Sequence, residues 1–404
     1  MLALPVGKKG WSLTKATMEN RSLILFASVV VFALADTSAL AEDGVTKDRI
    51  VFGQVAALEG PAQALGQGMR QGLLAAFAEV NRAGGIAGRL LELKSADDSY
   101  EPQKTIEATK KMLGEEKVFA IVGAVGTPTS NAGQPIATEA KVPFIGPFTG
   151  AEFLRTPYKR YVVNIRTSYF QETAAWIEHL TKDLGITKIA ILYQDDTFGL
   201  AGLDGVKIAM AKRNMSLVAA GTFRRNTTAV KSALLEIMKA NPEAVVTVGS
   251  YKPVAEFIKL ARQARMDAVF VAISFVGADA LAQEMGDKGA GVIVSQVVPF
   301  PGDKSLPVVA SYQAALAALD PEAKPGFVSL EGYLVGRLVI EALKRLPGEP
   351  TREALLDAIT YGGAFDLDGI ELTYGPTSNQ GMNQVFFTVL QADGSFKPVT
   401  RLVK

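Results

Sequence analysis

Residues 118–154 hold two short apolar runs, each followed by a turn rich in glycine and hydroxyl side chains. The runs at residues 118–122 and 142–145 have the length and β-branched content of fully buried strands, and residues 131–140 between them suit a helix. The order strand, polar loop, helix, strand, polar loop is the repeating unit of a parallel α/β sheet. This stretch therefore restricts the fold to the α/β class.

The two turns carry candidate ligand-binding residues. Gly126, Thr127 and Thr129 follow the first run, and Thr149 and Gly150 follow the second. In an open parallel sheet, ligands bind where strands end and helices begin, because backbone N–H groups and the positive end of the helix dipole point there. Threonine hydroxyls add neutral donors, so we expect this loop to hold a carboxylate or another small anion. The alternative is that a threonine only caps the helix.

The same alternation continues on both sides of this stretch. Strand-type runs and amphipathic helical segments alternate over residues 50–113, and a second series alternates over residues 188–298. After residue 305 the sequence predicts helices, then two strand-type runs at residues 365–374 and 384–390, and the second ends in a hairpin turn at Ala392-Asp393-Gly394. The predicted architecture is α/β, with two doubly wound Rossmann-like lobes.

Three helices predicted near the C-terminus, at residues 308–319, 329–346 and 352–359, have no strands of their own. We expect them to return and cover the first lobe, so the chain must cross between lobes more than once. The candidate connectors are residues 161–166, 296–301 and 365–374. The predicted lobes are residues 42–164 plus 300–363 and residues 165–299 plus 364–404.

The first forty residues differ in composition from the rest. Basic residues precede an apolar block at residues 23–35, and Ala39-Leu40-Ala41 follows that block. These features are typical of a secretory signal peptide, here residues 1–41, and predict a periplasmic protein. The alternative is an uncleaved N-terminal anchor. Met1 and Met18 are both candidate start residues.

Few residues could carry out catalysis. The chain has no cysteine and a single histidine, His179, so neither a nucleophilic thiol, a catalytic triad nor a histidine metal pair can be built. No glycine-rich nucleotide motif opens a predicted helix. Lysine and arginine total 42 against 41 acidic residues, which leaves no basic excess for nucleic acid. The sequence therefore predicts a protein that is not an enzyme, without cofactor, metal or nucleic-acid partner.

Two acidic pairs, Asp97-Asp98 and Asp195-Asp196, follow predicted strands. Paired acids can bind a metal or move a proton. Aspartate is also common where it caps a helix or a turn. We expect the capping role here.

From about residue 48 onward, the chain resembles the branched-chain-amino-acid-type solute-binding proteins of ABC transporters. Three stretches carry the resemblance most clearly, and they occur in the family's order. They are GQGMRQGLLAAFAEVNRAGGIAGRLLELKSADDSYEP from Gly66, VGAVGTPTSNAGQPIATEAKVPFIGPFTGAEFLR from Val122, and IAILYQDDTFGLAGLDGV from Ile189. Weaker matches are AVVTVGSYKPVAEFIKLAR from Ala244 and ADGSFKPV from Ala392.

The resemblance implies two lobes joined by three crossings, the type I periplasmic binding fold, with a ligand between the lobes. It implies that Thr127 holds the ligand's carboxylate through its hydroxyl and backbone N–H. Thr149 and Gly150 match a second set of contacts on the same lobe. Phe198 and Tyr251 match aromatic positions on the other lobe, and Tyr169 is a further candidate at the start of the helix after the first crossing.

One position departs from the family. The family members that bind leucine and valine, which this chain resembles, share a glutamate that pairs with the ligand's ammonium group. The aligned position here is Ser274. Burying an ammonium group without a counter-charge is costly. Either another acid, such as Glu331 or Asp195, replaces the glutamate, or the ligand is a carboxylate without an amine.

These observations predict a periplasmic receptor of an ABC importer that binds a small carboxylate-bearing solute, either an amino acid or an aromatic or aliphatic acid. Its expected protein partner is a permease in the inner membrane, and a monomer is expected. The alternative is the ligand-sensing receptor of a signalling system that uses the same fold.

Overall fold

The computed structural model describes residues 42–403. The predicted signal peptide lies outside the described residues. Within the described part of the chain, no helix is both long enough and apolar enough to cross a membrane.

The first sheet is built entirely from residues 49–163 and has five parallel strands in the order β2-β1-β3-β4-β5. This order places a switch in winding direction between β1 and β3, and ligands of doubly wound sheets bind at such a switch. The strands are β1 Arg49–Ala56, β2 Leu90–Asp97, β3 Ala120–Val122, β4 Phe144–Ile145 and β5 Val162–Val163. The connecting helices are α1 Gln63–Arg82, α2 Pro102–Gly114 and α3 Thr127–Glu139.

The second sheet repeats this winding. Five of its strands are parallel in the order β7-β6-β8-β9-β10, which is the order of the first sheet with a switch between β6 and β8. These strands are β6 Ile189–Gln194, β7 Ala219–Phe223, β8 Ala244–Val248, β9 Val269–Ala272 and β10 Ile293–Gln296. Its helices are α4 Tyr169–Lys182, α5 Thr197–Ala211, α6 Lys231–Lys239, α7 Tyr251–Gln263 and α8 Ala278–Met285.

The C-terminal part adds helices to one lobe and strands to the other. Helix α10 packs along α1, and α9 also contacts α1. A Cβ atom at Gly72 of α1 would overlap the backbone of α10, so glycine permits this close approach. These helices are α9 Pro307–Leu319, α10 Phe327–Lys344 and α11 Arg352–Tyr361. The hairpin predicted at residues 392–394 joins two antiparallel strands at the edge of the second sheet, β13 Phe386–Leu390 and β14 Phe396–Val399.

The chain passes between the two sheets three times, after β5, after β10 and between α11 and β13. The fold is therefore α/β, with two doubly wound lobes joined by three crossings. The boundaries 42–164 plus 300–363 and 165–299 plus 364–404 stay a prediction.

Two sequence predictions differ from the observed elements. Residues 365–374 form only two paired two-residue strands, β11 Phe365–Asp366 and β12 Glu371–Leu372, because Asp368 and Gly369 between them have positive φ and turn the chain. Helix α3 begins at Thr127 rather than at residue 131. Pro128 in its first turn is pre-organised for the helical backbone.

Candidate functional site

The N-terminus of helix α3 lies at the switch of the first sheet and offers free backbone donors. Its N-cap residue is Gly126, at φ 106°, and no side chain caps the helix. Among the described residues, neither the N–H of Thr127 nor that of Thr129 has a hydrogen-bond acceptor. The alternative in which a threonine only caps this helix is therefore wrong. These N–H groups and the helix dipole favour an anion.

Two hydroxyls from neighbouring loops meet beside this helix end. Thr127 Oγ1 and Thr149 Oγ1 lie 2.7 Å apart and are fully buried. The backbone N–H of Ala151 donates to Thr149 Oγ1 at 3.2 Å. Thr129, by contrast, donates its hydroxyl to the carbonyl of Val125, one turn back along the chain. Thr127 and Thr149 thus form the hydroxyl pair of the site, and the Thr129 hydroxyl is already engaged.

Tyr169 brings a phenol to the same place from the start of α4. Its N–H donates to the carbonyl of Gly150 at 2.7 Å, and a Cβ atom at Gly150 would lie only 2.5 Å from the tyrosine ring. Burial raises the pKa of Tyr169, while nearby Arg166 and the Thr149 hydroxyl act in the opposite direction. The Tyr169 hydroxyl is buried and has no hydrogen-bond partner of good geometry among residues 42–403.

Arg166, on the first crossing, contributes a buried positive charge. Its Nε and Nη2 atoms each donate to the carboxylate of Glu331 in α10 at 2.8 Å, and its guanidinium lies 4.3 Å from the centre of the Phe148 ring. The pKa of Arg166 is raised: burial opposes the charge, and the bonds and charge of Glu331 outweigh burial. Its Nη1 atom is buried and finds no partner in the described part of the chain.

A second buried arginine braces the loop that carries Thr149. Arg155 donates to the carbonyls of Ala151 and Arg166, at 2.9 and 3.0 Å, and to the side chain of Gln380 at 2.6 Å. Burial lowers the pKa of Arg155 to about 10. This side chain therefore ties the loop that carries Thr149 to two of the three crossings.

Four buried aromatic rings, Phe275, Phe198, Phe148 and Tyr100, pack together next to these donors. Phe275, in the turn after β9 of the second lobe, has its ring centre 4.5 Å from Phe198, 5.4 Å from Phe148 and 5.9 Å from Tyr100. Phe198 also contacts Tyr169, at 5.5 Å. The rings of Phe148 and Tyr100 belong to the first lobe. Phe275 therefore joins the apolar surfaces of the two lobes, and we call these four rings the aromatic cluster.

Ser274, the position that departs from the family, faces a carboxylate from its own lobe. Its N–H and Oγ donate to Glu172 of α4 at 3.0 and 2.8 Å, and Ser295 Oγ donates to the same carboxylate at 2.6 Å. All three side chains are buried. Glu331 is engaged by Arg166, and Asp195 is exposed. Of the acids in this region, Glu172 is the one that lies at Ser274.

Polar contacts hold the two lobes together around the cluster. Arg225, after β7, bridges Asp196 of its own lobe and Glu101 of the first lobe, both at 2.9 Å. Asn226 donates to Glu101 at 2.7 Å. Tyr251 is not part of the aromatic cluster: its hydroxyl accepts a 3.4 Å hydrogen bond from the N–H of Ala64, in the first turn of α1. We call the contacts of Arg225 and Asn226 with Glu101 the interlobe latch.

Three of the four acids in the two acidic pairs accept hydrogen bonds from backbone N–H groups, as expected of caps and turns, and the fourth, Asp195, is exposed. Asp196 accepts from the N–H of Phe198 at the start of α5, and Asp97 accepts from the N–H groups of Leu58 and Glu59. Asp98 accepts from the N–H of Tyr100. Within residues 42–403, no three His, Cys, Asp or Glu side chains are grouped as metal ligands would be.

The structure brings together six of the eight residues predicted for the site: Thr127, Thr129, Thr149, Gly150, Tyr169 and Phe198. Thr129 offers only its backbone N–H, because its hydroxyl is bonded to the carbonyl of Val125. Ser274 is bonded to Glu172, and Tyr251 contacts α1. Sequence reasoning missed four polar residues of the region, Arg155, Arg166, Glu172 and Arg225. Their partners are distant in sequence, by 165 residues for Arg166 and Glu331 and by 102 for Ser274 and Glu172, so no local pattern reveals them.

Two doubly wound lobes, three crossings and a cluster of free donors between the lobes define the class of type I periplasmic binding folds. The family profile described as "Periplasmic binding protein" matches residues 49–395. The chain therefore belongs to this family, as a type I member of its Leu/Ile/Val-binding group.

Relatives with assigned names agree with this placement. A "Leucine-, isoleucine-, valine-, threonine-, and alanine-binding protein" from Pseudomonas aeruginosa is 23% identical over 89% of this chain and 91% of its own length. "Leu/Ile/Val-binding protein homolog 3" from Brucella melitensis is 27% identical over 57% of this chain, and the match covers 59% of that relative. A crystal structure of a possible leucine/isoleucine/valine-binding protein from Rhodopirellula baltica is 38% identical, with a TM-score of 0.84 over 90% of this chain and 98% of that one.

Proposed function

We propose that this protein is the solute-binding receptor of an ABC importer and that it captures a small carboxylate-bearing solute between its two lobes. The proposal includes a periplasmic location, an inner-membrane permease as partner, and a monomeric receptor. The relative from Pseudomonas aeruginosa is named for binding amino acids, which carry a carboxylate. The relatives reported above are binding proteins by name, which favours a receptor over an enzyme.

The observation that carries the proposal is the set of unpartnered donors between the lobes. The N–H groups of Thr127 and Thr129, the Tyr169 hydroxyl and Arg166 Nη1 find no acceptor in the described part of the chain. Buried donors in folded proteins nearly always have partners, and an exception requires an explanation. A ligand carboxylate, with its two oxygens, is a chemically matched acceptor for them.

Closure of the lobes supplies the mechanism. The donors of α3 belong to the first lobe, whereas Phe198 and Phe275 belong to the second, so a ligand held by both favours the closed arrangement. In that arrangement the interlobe latch also forms. The permease would then recognise a closed, loaded receptor by its shape.

A ligand screen by thermal shift tests the proposal. The purified exported protein is mixed with branched-chain and other amino acids and with aromatic and aliphatic carboxylates. A ligand at 100 times its dissociation constant stabilises a protein by about 2.7 kcal/mol, which raises the melting temperature measurably. We expect at least one carboxylate to do so, and the matching alcohol or amide to have no effect.

If neutral analogues stabilise the protein as well as the acids do, the carboxylate site is wrong. If no carboxylate stabilises it, the receptor role proposed here is contradicted. The role of the permease is tested separately, by measuring whether the loaded receptor stimulates ATP hydrolysis by the transporter encoded with it. Stimulation of a sensor kinase instead would favour the signalling alternative.

A further inference from the structure

Two buried acids near the aromatic cluster, Glu172 and Glu331, are bonded to donors from the protein itself. Glu172 accepts three hydrogen bonds from Ser274 and Ser295, at 2.6 to 3.0 Å. Glu331 accepts two from Arg166 at 2.8 Å. A ligand ammonium group entering this region would have to displace these donors or remain without a counter-charge, and both are costly in a buried site.

Two further acids near the cluster are bonded in the same way. Asp196 accepts from Gln194 Nε2 at 2.7 Å, from the N–H of Phe198 at 3.0 Å and from Arg225 at 2.9 Å. Asp98 accepts from the N–H of Tyr100 and from Thr105, both at 2.9 Å. Each of these carboxylates already accepts hydrogen bonds from the protein, so none is free to balance the charge of a ligand cation.

Arg166 and Tyr169 each contact a ring of the aromatic cluster, and each keeps a donor without a partner within residues 42–403. Arg166 Nη1 and the Tyr169 hydroxyl are donors, and both are buried. Within the described residues, Gln194 Oε1 is an unpartnered acceptor next to the cluster, since Nε2 of the same amide donates to the Tyr100 hydroxyl at 3.2 Å. Glu152 Oε2, three residues after Thr149, also lacks a hydrogen-bond partner among these residues, and the charge of this carboxylate interacts with that of buried Arg155. The orientation of the Gln194 amide is fixed because its Nε2 also donates to the Asp196 carboxylate. A neutral amide oxygen accepts a hydrogen bond but does not balance a full positive charge.

We infer that the site takes an apolar carboxylate that carries no ammonium group. This inference rests on the proposed function and narrows its ligand class. The carboxylate binds the donors of Thr127, Tyr169 and Arg166, and the apolar body lies against the rings of Phe148, Phe198 and Phe275. Phe275 belongs to the second lobe, so opening of the lobes withdraws it from Phe148 and admits the ligand.

Matched ligand pairs that differ by one ammonium group test the inference. Isothermal titration calorimetry compares 3-phenylpropanoate with phenylalanine, phenylacetate with phenylglycine, and 4-methylpentanoate with leucine. We expect the acid of the best-binding pair to bind at least ten times more tightly than its amino acid. Equal or tighter binding of the amino acids overturns the inference and leaves the receptor function standing. Absence of binding by all six compounds overturns the inference and counts against the receptor function as well.

A conservative variant supplies an independent readout. Tyr169→Phe removes a hydroxyl that makes no hydrogen bond of good geometry within residues 42–403, so the melting temperature without ligand should not fall. Affinity for the acid should decrease about fivefold, because the carboxylate loses one donor. Tyr361→Phe, at an exposed position on α11, is the matched control and should leave affinity unchanged. Unchanged affinity in Tyr169→Phe would overturn the part of the inference that assigns this donor to the ligand.

Discussion

Arg166 and Glu331 form a bidentate ion pair with both hydrogen bonds at 2.8 Å, and their side chains are 1% and 3% exposed. The pair joins the first crossing between the lobes to helix α10 of the first lobe. It leaves Nη1 of the arginine free beside Phe148 and Tyr169. Arg166 thus anchors the first crossing to the first lobe and also offers a positive charge to the proposed ligand.

Removal of one partner of this pair should destabilise the fold strongly. Glu331→Gln leaves Arg166 buried without its counter-charge, and such changes typically lower the free energy of unfolding by about 3–5 kcal/mol. Urea unfolding at neutral pH measures the loss. The double variant Arg166→Met with Glu331→Leu should recover most of the stability while ligand affinity stays at least tenfold reduced. Wild-type affinity in the double variant would mean that Arg166 does not contact the ligand.

The interlobe latch should tune affinity without touching the ligand. Glu101→Gln keeps the hydrogen-bond acceptor and removes the charge that faces Arg225, whose side chain is 21% exposed. Partly exposed ion pairs contribute about 0.2–1 kcal/mol, so ligand affinity should fall by no more than about fivefold. The difference in affinity between Glu101→Gln and wild type should become smaller in high salt, because salt screens the ion pair in the wild-type protein. The control Glu107→Gln, at an exposed position in helix α2, which starts directly after Glu101, should bind like wild type. Equal losses of affinity in both variants would exclude a latch.

Ionisation of the Asp98 carboxyl group should lower the free energy of unfolding as pH rises. Burial, together with the charges of Asp97 and Glu101, raises its pKa to about 6, although bonds from Tyr100 and Thr105 act against this. The unfolded-state pKa is about 3.9, so the folded protein holds the proton more tightly between pH 4 and 6. Stability due to this group is therefore full below about pH 4 and is lost through pH 6, by about 3 kcal/mol.

The variant Asp98→Asn cannot ionise and should lack this dependence. Its stability relative to wild type should rise between pH 4 and 7 in urea unfolding experiments. Asp287→Asn, at an exposed position, serves as the control and should follow the wild-type curve. A constant difference between Asp98→Asn and wild type across this range would show that Asp98 ionises normally in the folded state.

Gly126 should be indispensable for the shape of the loop that leads into helix α3. At φ 106° a Cβ atom would clash with the Tyr100 ring and lie 2.6 Å from Thr129 Oγ1. Gly126→Ala should therefore lower the free energy of unfolding by about 2–3 kcal/mol and weaken ligand binding at least tenfold. Gly88 also has positive φ, at 78°, but open space around its Cβ position, so Gly88→Ala isolates the backbone strain of about 1 kcal/mol. Binding that is unaffected in Gly126→Ala would contradict the proposed site.

The sequence predicts the fold well because its main determinants are local. Buried strands such as β8, with five buried residues in a row, and helices with an apolar face are visible as short patterns. The order of these elements, repeated twice, implies two doubly wound lobes. The short strands β11 and β12 were harder to predict, because the turn at Asp368 and Gly369 interrupts an otherwise strand-like run.

The site is only partly predictable, because several of its contacts join residues that are far apart in sequence. Thr127 and Thr149 stand in recognisable loops at strand ends, so pattern and resemblance both identify them. Whether a buried carboxylate is already hydrogen-bonded depends on residues far away in sequence. Ser274 suggests a missing counter-charge, but only the folded chain shows that Glu172 lies beside Ser274 and is bonded to it. Likewise, Glu331 was a candidate to replace the family's glutamate, and its partner Arg166 is what makes it unsuitable.

The most direct test of the account compares two substitutions at Thr127. Thr127→Val keeps the shape and removes the hydroxyl, whereas Thr127→Ser keeps the hydroxyl. Calorimetric titration with the best carboxylate from the ligand screen should show a loss of affinity of about tenfold for Thr127→Val and of less than about threefold for Thr127→Ser. The free energy of unfolding without ligand should change by about 1 kcal/mol at most, the contribution of the bond to Thr149. Wild-type affinity in Thr127→Val would contradict the claim that the start of helix α3 binds the ligand's carboxylate.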